Sequence, residues 1–260
     1  MMNILLTNDD GIFSRGLWSL YDQFSKRHDV TVAAPDRERS AVGHGITLRR
    51  PLSAEKVDIG DGRSGYAING TPADSVKIGI REILGRRPNF VISGINPGPN
   101  TGVNIHYSGT VAAAREAALF GAKAISVSIN AREPSRWADA ARFIEELAVL
   151  WADKSLPFGT FLNVNIPDVP LESVRGVKVS RQGLIDLMDI PAASAKLQKN
   201  TASEKDPKNL MYGPGDDGAV LNDNCISITP IKCDSTDHDV FEGIQTWGFM
   251  EKKPAHGGAA

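Results

Sequence analysis

The chain has 260 residues, 41% hydrophobic and 23% charged, which is the composition of a globular protein with a sizeable core. Its net charge of −2 and lack of a long basic tract argue against a nucleic-acid polymer as partner, and no apolar run approaches the ~20 residues of a membrane span. Cys225 and Cys233 are too few cysteines for a disulfide framework, so we expect a cytoplasmic protein.

The first predicted element is a buried strand that ends in two adjacent carboxylates. The apolar residues 4–6 are followed by Asn8, Asp9, Asp10 and Gly11. A short continuous apolar run is typical of a parallel strand, and open α/β sheets bind ligands beyond the carboxyl ends of such strands. Neighbouring carboxylates repel each other unless a cation or a proton separates them. The segment alone fits either a divalent-metal site or a turn with two solvated acids.

Strand-like runs and helical patterns alternate through the first two-thirds of the chain. Leu17, Leu20 and Phe24 share one face of a predicted helix. Further strands are predicted at 30–34, 90–93, 124–129 and 161–166, and further helices at 72–84, 110–120 and 137–151. This alternation predicts an α/β fold with a mostly parallel sheet and helices on both faces.

The pattern changes near residue 168. Residues 191–218 are polar and rich in Pro, Gly, Ser and Lys, which predicts a long loop, and residues 225–231 are strand-like again. We therefore divide the chain into an α/β core (1–167), a C-terminal part (168–250) and a flexible tail (251–260). Because the polar excursion is too long for an ordinary loop, we expect the C-terminal part to carry a β-rich arm that makes subunit contacts and returns to the core.

Two further loops at the same sheet edge carry oxygen donors. The loop after the second strand contains Ser40, a possible metal ligand, and His44, a possible general acid, although both also fit a plain loop. The loop at 92–104 (ISGINPGPNTGVN) is rich in Gly and Pro, so its backbone can approach a ligand closely. Its Asn96 and Asn100 supply amide oxygens, which suit a hard cation.

Together the three loops predict a site for one divalent cation per subunit. The candidate ligands Asp9, Asp10, Ser40 and Asn96 are all oxygen donors, and no His or Cys pair at zinc spacing accompanies them. This donor set favours Mg²⁺ or Mn²⁺, with coordination positions left open for water and substrate.

Two predicted helix starts differ in how their free N–H groups are satisfied. At 71–74, Thr71 as N-cap and Asp74 at the third helical position form a capping box. Ser108, Gly109 and Thr110 open another helix without a carboxylate in its first turn. The second start is therefore free to hold a phosphate, although a serine cap with no further role fits the same residues.

Five ordered motifs give the chain a family resemblance. TNDDG, APDRERS, GTPADSV, SGINPGPNTG and YSGTVAAA resemble, in this order and spacing, the SurE family of survival-protein nucleotidases. They span residues 3 to about 130, and NVNIP (163–167) and SITPI with Asp234, Thr236 and His238 extend the resemblance more thinly.

The resemblance implies a Rossmann-like core and a divalent-metal-dependent phosphomonoesterase. Its expected substrates are nucleoside 5′- and 3′-monophosphates, and sometimes short polyphosphate. By motif position it places the metal on Asp9, Asp10, Ser40 and Asn96. It also implies a homodimer or homotetramer in which the C-terminal part embraces the partner.

The chain departs from the family pattern outside this quartet. Ala41 and Asn104 stand where many relatives carry Gly and Asp, and residues 191–218 lack an Asp-Pro-Arg-Gly signature. These departures bear on substrate preference and on the oligomer-forming arm.

The residue types and the resemblance predict roles within the site. The predicted catalytic residues are Asn8, Asp9, Asn96 and Ser108, and the predicted phosphate- or cofactor-binding residues are Gly94, Asn100, Ser108, Gly109 and Thr110. Phosphoryl transfer depends mainly on positioning and electrostatics, so the site does not require an evident strong base. As acceptor of the proton of the attacking water, Asp9 is favoured over His44.

Three other classes of protein fit the sequence less well. A non-catalytic nucleotide-binding or sensor module of the receiver type needs an acceptor Asp after its third strand, where this chain has Ser93 and Gly94. A dinucleotide oxidoreductase needs G-x-G-x-x-G after the first strand, and a haloacid-dehalogenase-type phosphatase needs D-x-D. The segment TNDDG supplies neither pattern.

Overall fold

A computed structural model describes residues 1–184 and 212–247, which form a nine-stranded mixed sheet flanked by helices. The strands are β1 (Asn3–Thr7), β2 (Asp29–Pro35), β3 (Ala54–Gly60), β4 (Arg63–Ile68), β5 (Phe90–Pro97), β6 (Lys123–Ile129), β7 (Thr160–Ile166), β8 (Val177–Val179) and β9 (Ile226–Lys232). The α-helices are α1 (Arg15–Phe24), α2 (Pro72–Ile78), α3 (Gly109–Leu119), α4 (Trp137–Trp151), α5 (Asp217–Asn222) and α6 (His238–Gln245). A π-helical turn (Gly79–Ile83) extends α2, and short 3₁₀ helices lie at Gly102–His106 and Leu171–Ser173. No helix within these two described ranges has the length and apolar character to cross a membrane.

The strand order is β3-β4-β2-β1-β5-β6-β7-β9-β8. The six neighbouring strands from β4 to β7 are parallel, whereas β3 and β9 run antiparallel to β4 and β7. Strand β1 has β2 on one side and β5 on the other, so successive crossovers leave it in opposite directions. Open α/β sheets bind ligands in the crevice above such a switch point, which here lies above Asp9 and Asp10.

Helices cover both faces of the sheet, as the sequence predicts. On one face, α1 and α4 pack onto a core that includes Leu17, Leu20 and Phe24, each fully buried. On the other face, α2 and α3 pack against β1, β5 and β6 through small side chains such as Ala113 and Ala117. Small residues let α3 approach the sheet closely and bring its first turn to the edge where β1 ends.

The predicted strands and helices of the core are confirmed, including α4 with the predicted bounds. The hairpin of β3 and β4 has no counterpart in the predicted elements. Strand β3 is an edge strand whose side chains lie mostly in solvent, so its sequence lacks an apolar run.

The described residues of the C-terminal part continue the same sheet. The strand-like run predicted at 225–231 is β9, which pairs with β7, and β8 pairs with β9. The predicted loop at 191–218 lies, up to residue 211, outside the described residues, as does the predicted tail at 251–260. The role of this part in subunit contacts stays a prediction.

Candidate metal and phosphate site

The acidic pair after β1 is desolvated and lacks a full set of partners. Asp9 is 4% exposed and Asp10 is half-buried. Burial raises the pKa of Asp9 above its ordinary value. Burial, then repulsion by Asp9 and by Glu38, raises the pKa of Asp10 to about 7. Asp10 Oδ2 is buried without a hydrogen-bond partner within the described ranges. Such a pair calls for a cation or a proton, so these carboxylates fit a divalent metal.

Asp9 is fixed from two sides by the protein. The Thr110 hydroxyl donates to Asp9 Oδ1 at 2.5 Å, and the Arg39 N–H donates to the Asp9 main-chain carbonyl at 2.7 Å. A β-carbon on Gly109 would lie 2.8 Å from Asp9 Cβ and 2.9 Å from Asp9 Oδ2, so a side chain there would overlap the carboxylate. The start of α3 therefore rests directly on Asp9.

Asn8 shapes the turn that follows β1. Its Nδ2 donates to the Gly11 carbonyl at 3.1 Å and to Ser14 Oγ at 2.5 Å, and its Oδ1 accepts from the Gly11 N–H at 3.2 Å. Gly11 has a φ of +100°, and a β-carbon there would lie 2.9 Å from the Arg37 carbonyl carbon. Asn8 thus fixes the turn after β1, and Gly11 lets this turn approach the next loop closely. Direct contact of Asn8 with substrate stays a prediction.

Ser40 lies in that next loop together with an acid that the sequence analysis did not single out. Ser40 is exposed, and its hydroxyl donates to Glu38 Oε1 at 2.7 Å. Since the hydroxyl proton is used, lone pairs on the Ser40 oxygen remain available to a cation. Glu38 lies near enough to raise the pKa of both Asp9 and Asp10. The only sequence signal for Glu38 was its place in the APDRERS loop, where charged residues are ordinarily solvated.

Asn96 presents its amide oxygen rather than its nitrogen. Its Nδ2 donates to the carbonyls of Pro97 at 3.2 Å and Gly98 at 2.8 Å, which leaves Oδ1 as the free ligand atom. Gly94, with a φ of +142°, brings the backbone against Val127, whose carbonyl a β-carbon would strike. The donor orientation at Asn96 fits the predicted metal role.

The two helix starts differ as the sequence predicts. The capping box of α2 is confirmed: Thr71 Oγ1 accepts from the Asp74 N–H at 3.1 Å, and Asp74 Oδ2 accepts from the Thr71 N–H at 3.0 Å. Ser108 caps α3 by accepting from the Val111 N–H at 3.1 Å, and the first turn of α3 contains no acid. The Thr110 hydroxyl and backbone N–H both face Asp9, so the contact of Thr110 with phosphate stays a prediction.

His44 and Asn100 have partners outside the acidic pair. His44 Nε2 lies 2.9 Å from Glu116 Oε2, in the third turn of α3, so a role for His44 as proton donor stays a prediction. Asn100 is 8% exposed and is held by Ser128 and Asn165.

A cleft of about 320 Å³ opens beside Asp10. It is lined by Asp10, Ser14, Arg15, Gly16, Ile95, Pro97, Arg132, Glu133, Pro134 and Trp137. Within the described ranges, no three His, Cys, Asp or Glu side chains gather into a metal-binding group. Asp9 and Asp10 are oxygen donors, which suit a hard cation, and the choice of Mg²⁺ or Mn²⁺ stays a prediction.

Comparisons with known proteins agree with the motif resemblance. A family model described as "Survival protein SurE" matches residues 4–188. A protein of Desulfatibacillum aliphaticivorans named 5′-nucleotidase SurE is 47% identical over 258 residues, covering 95% of this chain and 98% of the relative. A protein of the same name from Syntrophobacter fumaroxidans is 39% identical over 260 residues, covering 95% of this chain and all of the relative.

The fold has a solved counterpart. The crystal structure of a SurE protein from Aquifex aeolicus matches with a TM-score of 0.78 at 33% identity, covering 94% of this chain and 98% of that one. Motifs, family model, full-length relatives and fold thus agree: the chain belongs to the SurE family.

Proposed function

We propose that this protein is a divalent-metal-dependent nucleotidase that hydrolyses nucleoside 5′-monophosphates to nucleoside and phosphate. The observation that carries the proposal is the desolvated pair Asp9 and Asp10, in which Asp10 Oδ2 has no hydrogen-bond partner within the described ranges. This pair lies against the start of α3, whose first turn contains no acid. The names of the full-length relatives, 5′-nucleotidase SurE, support the same activity.

The cation is held, in this proposal, by Asp9, Asp10, Ser40 and Asn96. When bound, it would polarise the phosphoryl group and activate a water molecule. Asp9 Oδ1 already accepts from Thr110, so Asp9 Oδ2, on the side of Gly109, is the atom that we assign to receive the proton of the attacking water. The new bond joins the water oxygen to phosphorus, and the bond from phosphorus to the nucleoside oxygen breaks. The leaving nucleoside oxygen takes up a proton from solvent, and Asp9 then releases its proton to solvent.

The transferred phosphoryl group lies, in this proposal, at the start of α3. The Ser108 oxygen accepts from Val111, so its own proton is available to donate to a phosphate oxygen. The partial positive charge of the helix start stabilises the charge that develops on the phosphoryl oxygens. Asn8 and Asn100 act by holding the loops that surround it.

We extend the proposal to nucleoside 3′-monophosphates and to short polyphosphate on the family resemblance alone. On the same resemblance, we propose that each subunit binds one Mg²⁺ or Mn²⁺ ion and that the protein is cytoplasmic.

Hydrolysis of p-nitrophenyl phosphate with and without EDTA tests the proposal, followed by a panel of nucleoside 5′- and 3′-monophosphates and tripolyphosphate. We expect turnover that EDTA abolishes and that Mn²⁺ or Mg²⁺ restores. Nucleotide binding without any turnover would instead favour a sensor module and would contradict the proposal.

We also propose that the protein is a homodimer or homotetramer assembled through its C-terminal part. Helix α6 presents Val240, Phe241 and Ile244, each at least 39% exposed, which is an unusual apolar surface for a short helix. Size-exclusion chromatography with light scattering tests this, and a monomer at micromolar concentration would contradict it.

A further inference from the structure

A block of buried polar side chains lies within the sheet, toward the carboxyl ends of β6 and β7. Residues two apart on a strand share a face, and the register of β6, β7 and β9 sets these side chains directly opposite one another. Each of them is at most 1% exposed. The block consists of Ser126, Ser128, Asn163, Asn165, Ser227 and Thr229.

This block interrupts an apolar face. Further toward the amino ends of β6 and β7, the same face carries Ala124 and Phe161, which pack in the core beneath α3 together with Ile231 of β9. Burying polar groups in such a place is costly unless each finds a hydrogen-bond partner. The partners of the two asparagines therefore indicate why the block exists.

The asparagines converge on a single residue of the loop between β5 and α3. Asn163 Nδ2 and Asn165 Nδ2 both donate to the Asn100 carbonyl, at 2.8 Å and 3.1 Å, and Asn165 Oδ1 accepts from the Asn100 N–H at 2.8 Å. The serines complete the network: Asn100 Nδ2 donates to Ser128 Oγ, and Ser126 Oγ donates to Asn163 Oδ1, both at 2.8 Å. Both backbone polar atoms of Asn100 are thus bound by side chains of β7.

Asn100 lies between the two parts of the candidate site. The segment that contains it runs from Asn96, near the end of β5, to Ser108 at the start of α3. Asp217 Oδ2 also anchors this segment, accepting from the Gly102 N–H at 2.9 Å, so the asparagines of β7 and the acid of α5 hold two adjoining points of it. Strand β7 is a central strand, paired on both sides, and is a rigid support for such a loop.

We propose that Asn163 and Asn165 are positioning residues for the reaction: they fix the Asn100 backbone and with it the loop from Asn96 to Ser108. The inference rests on the proposed function, and neither asparagine contacts the substrate. Loss of either donor leaves the buried Asn100 carbonyl short of a partner, and a displacement of the loop by ~1 Å can lower the rate by ~100-fold.

The test compares Asn163→Ala and Asn165→Asp with a matched control, Thr229→Val. Asn163→Ala keeps one donor to the Asn100 carbonyl, and Asn165→Asp keeps the size and the acceptor but replaces that donor with an oxygen. Circular dichroism verifies the fold of each variant, and Asn163→Ala, which adds no buried charge, keeps the test decisive should Asn165→Asp fail to fold. Thr229 lies directly opposite Asn163 in the same block, but its hydroxyl bonds Ser180 at 2.7 Å rather than the loop.

Two measurements separate positioning from stability. We expect hydrogen exchange in the peptide 98–108 to accelerate in both asparagine variants and not in Thr229→Val. With the preferred nucleotide, kcat should fall by ~100-fold in the asparagine variants, with KM changed by less than ~5-fold, because the loop acts on the transition state. Thr229→Val should retain kcat within ~2-fold even where its melting temperature falls as far as theirs.

Unchanged exchange in both asparagine variants would overturn the inference, as would kinetics that match those of Thr229→Val. Wild-type protein that is inactive on every phosphomonoester would overturn the proposed function and, with it, the catalytic part of the inference. The exchange measurement needs no substrate and would still decide whether β7 holds the loop.

Discussion

Helices α2 and α3 lie side by side on one face of the sheet but begin in different ways. The start of α2 is closed by its own residues, since Thr71 and Asp74 satisfy each other's N–H groups. Asp74 also accepts from the Thr47 N–H at 3.1 Å. The start of α3 contains no acid; its carboxylate is supplied by Asp9, which arrives from β1.

The comparison shows how one physical property serves two purposes. Every helix start attracts negative charge. In α2 an internal carboxylate meets this need and stabilises the helix locally. In α3 the negative charge comes from Asp9, which is 101 positions from Thr110 in the sequence. The partial positive charge at the start of α3 therefore acts on the acidic pair and on any ligand that the pair binds.

The largest expected effect follows from removal of the carboxylates of Asp9 and Asp10, which follow β1 and lie near the start of α3. Asp9→Asn and Asp10→Asn should each lower kcat/KM by ~1000-fold or more, because each variant removes one of two anionic ligands from an all-oxygen site. Steady-state kinetics with saturating Mn²⁺ measures this, with circular dichroism to verify the fold. Full activity in both purified variants would rule out this site.

A carboxylate placed within the start of α3 should make it resemble α2. Ser108→Asp would still cap the helix, and because repulsion by the nearby Asp9 opposes the gain from the cap, stability should change by no more than ~1 kcal/mol. The substrate phosphate would then meet a like charge, and kcat/KM should fall by ~100-fold, about 2.7 kcal/mol. Metal affinity should change much less, since Ser108 is outside the predicted ligand set.

Thr71→Asp is the control for this variant. It adds a carboxylate to a helix start that already holds Asp74, so kcat/KM should stay near the wild-type value. Its stability should fall, because the Thr71 hydroxyl donates to the Gly45 carbonyl at 2.8 Å and a carboxylate cannot. Equal kinetic losses in both variants would mean that Ser108 is a cap with no role at the phosphate.

Removal of the internal carboxylate of α2 should affect stability but not catalysis. Asp74 is 1% exposed and accepts N–H groups from Thr71 and Thr47, so Asp74→Asn should lower the free energy of unfolding by ~2 kcal/mol. Urea denaturation measures the loss, and kcat/KM should stay within ~2-fold. A large kinetic defect in a folded Asp74→Asn variant would contradict the division of roles between the two helices.

The pH dependence of this stabilisation has a defined sign. Burial acts to raise the pKa of Asp74, but hydrogen bonds from Thr47 and Thr71 outweigh it and hold the pKa below the ordinary value of 3.8. The stabilisation is therefore complete above that value and is lost as the pH falls through the lower folded pKa. The wild-type advantage over Asp74→Asn should disappear in acid.

The corresponding pH dependence for Asp10, in metal-free protein, has the opposite sign. Its pKa is raised from 3.8 in the unfolded chain to about 7 in the fold. The folded state therefore favours the protonated acid, and stability should decrease as the pH rises from 4 through 7. Melting temperatures in EDTA at pH 5.5 and pH 8, for wild type and Asp10→Asn, isolate this contribution; a difference between the two proteins that is independent of pH would contradict it.

Local patterns predict most of the fold and the ligand candidates of this chain. The strand that ends at Thr7, the capping box of α2 and the helix at 137–151 each depend on residues within one turn or one strand of each other. Contacts between distant segments leave no such local pattern in the sequence, so they could not be predicted. The bond between Thr110 and Asp9 and the convergence of Asn163 on Asn100 join residues 101 and 63 positions apart.

The electrostatic effect of Glu38 on the acidic pair also could not be predicted from local sequence. Its sequence context is that of a solvated loop acid, and only the fold places it near Asp9 and Asp10. Gly11 allows that approach, because the two loops meet where a β-carbon on Gly11 would overlap Arg37.

Glycine spacers around the site bear on how a mutational scan of this protein should be interpreted. A methyl group on Gly109 would press on Asp9, and one on Gly16 would strike the Ile95 carbonyl and the Trp137 ring. We expect an alanine at either position to lower activity by displacing these neighbours, although neither glycine has a side chain that takes part in the chemistry. A mutational scan of this protein will therefore detect positions where a side chain has no space as well as positions whose side chain takes part in the reaction. Assays of metal and phosphate binding by each variant are needed to distinguish these two kinds of position.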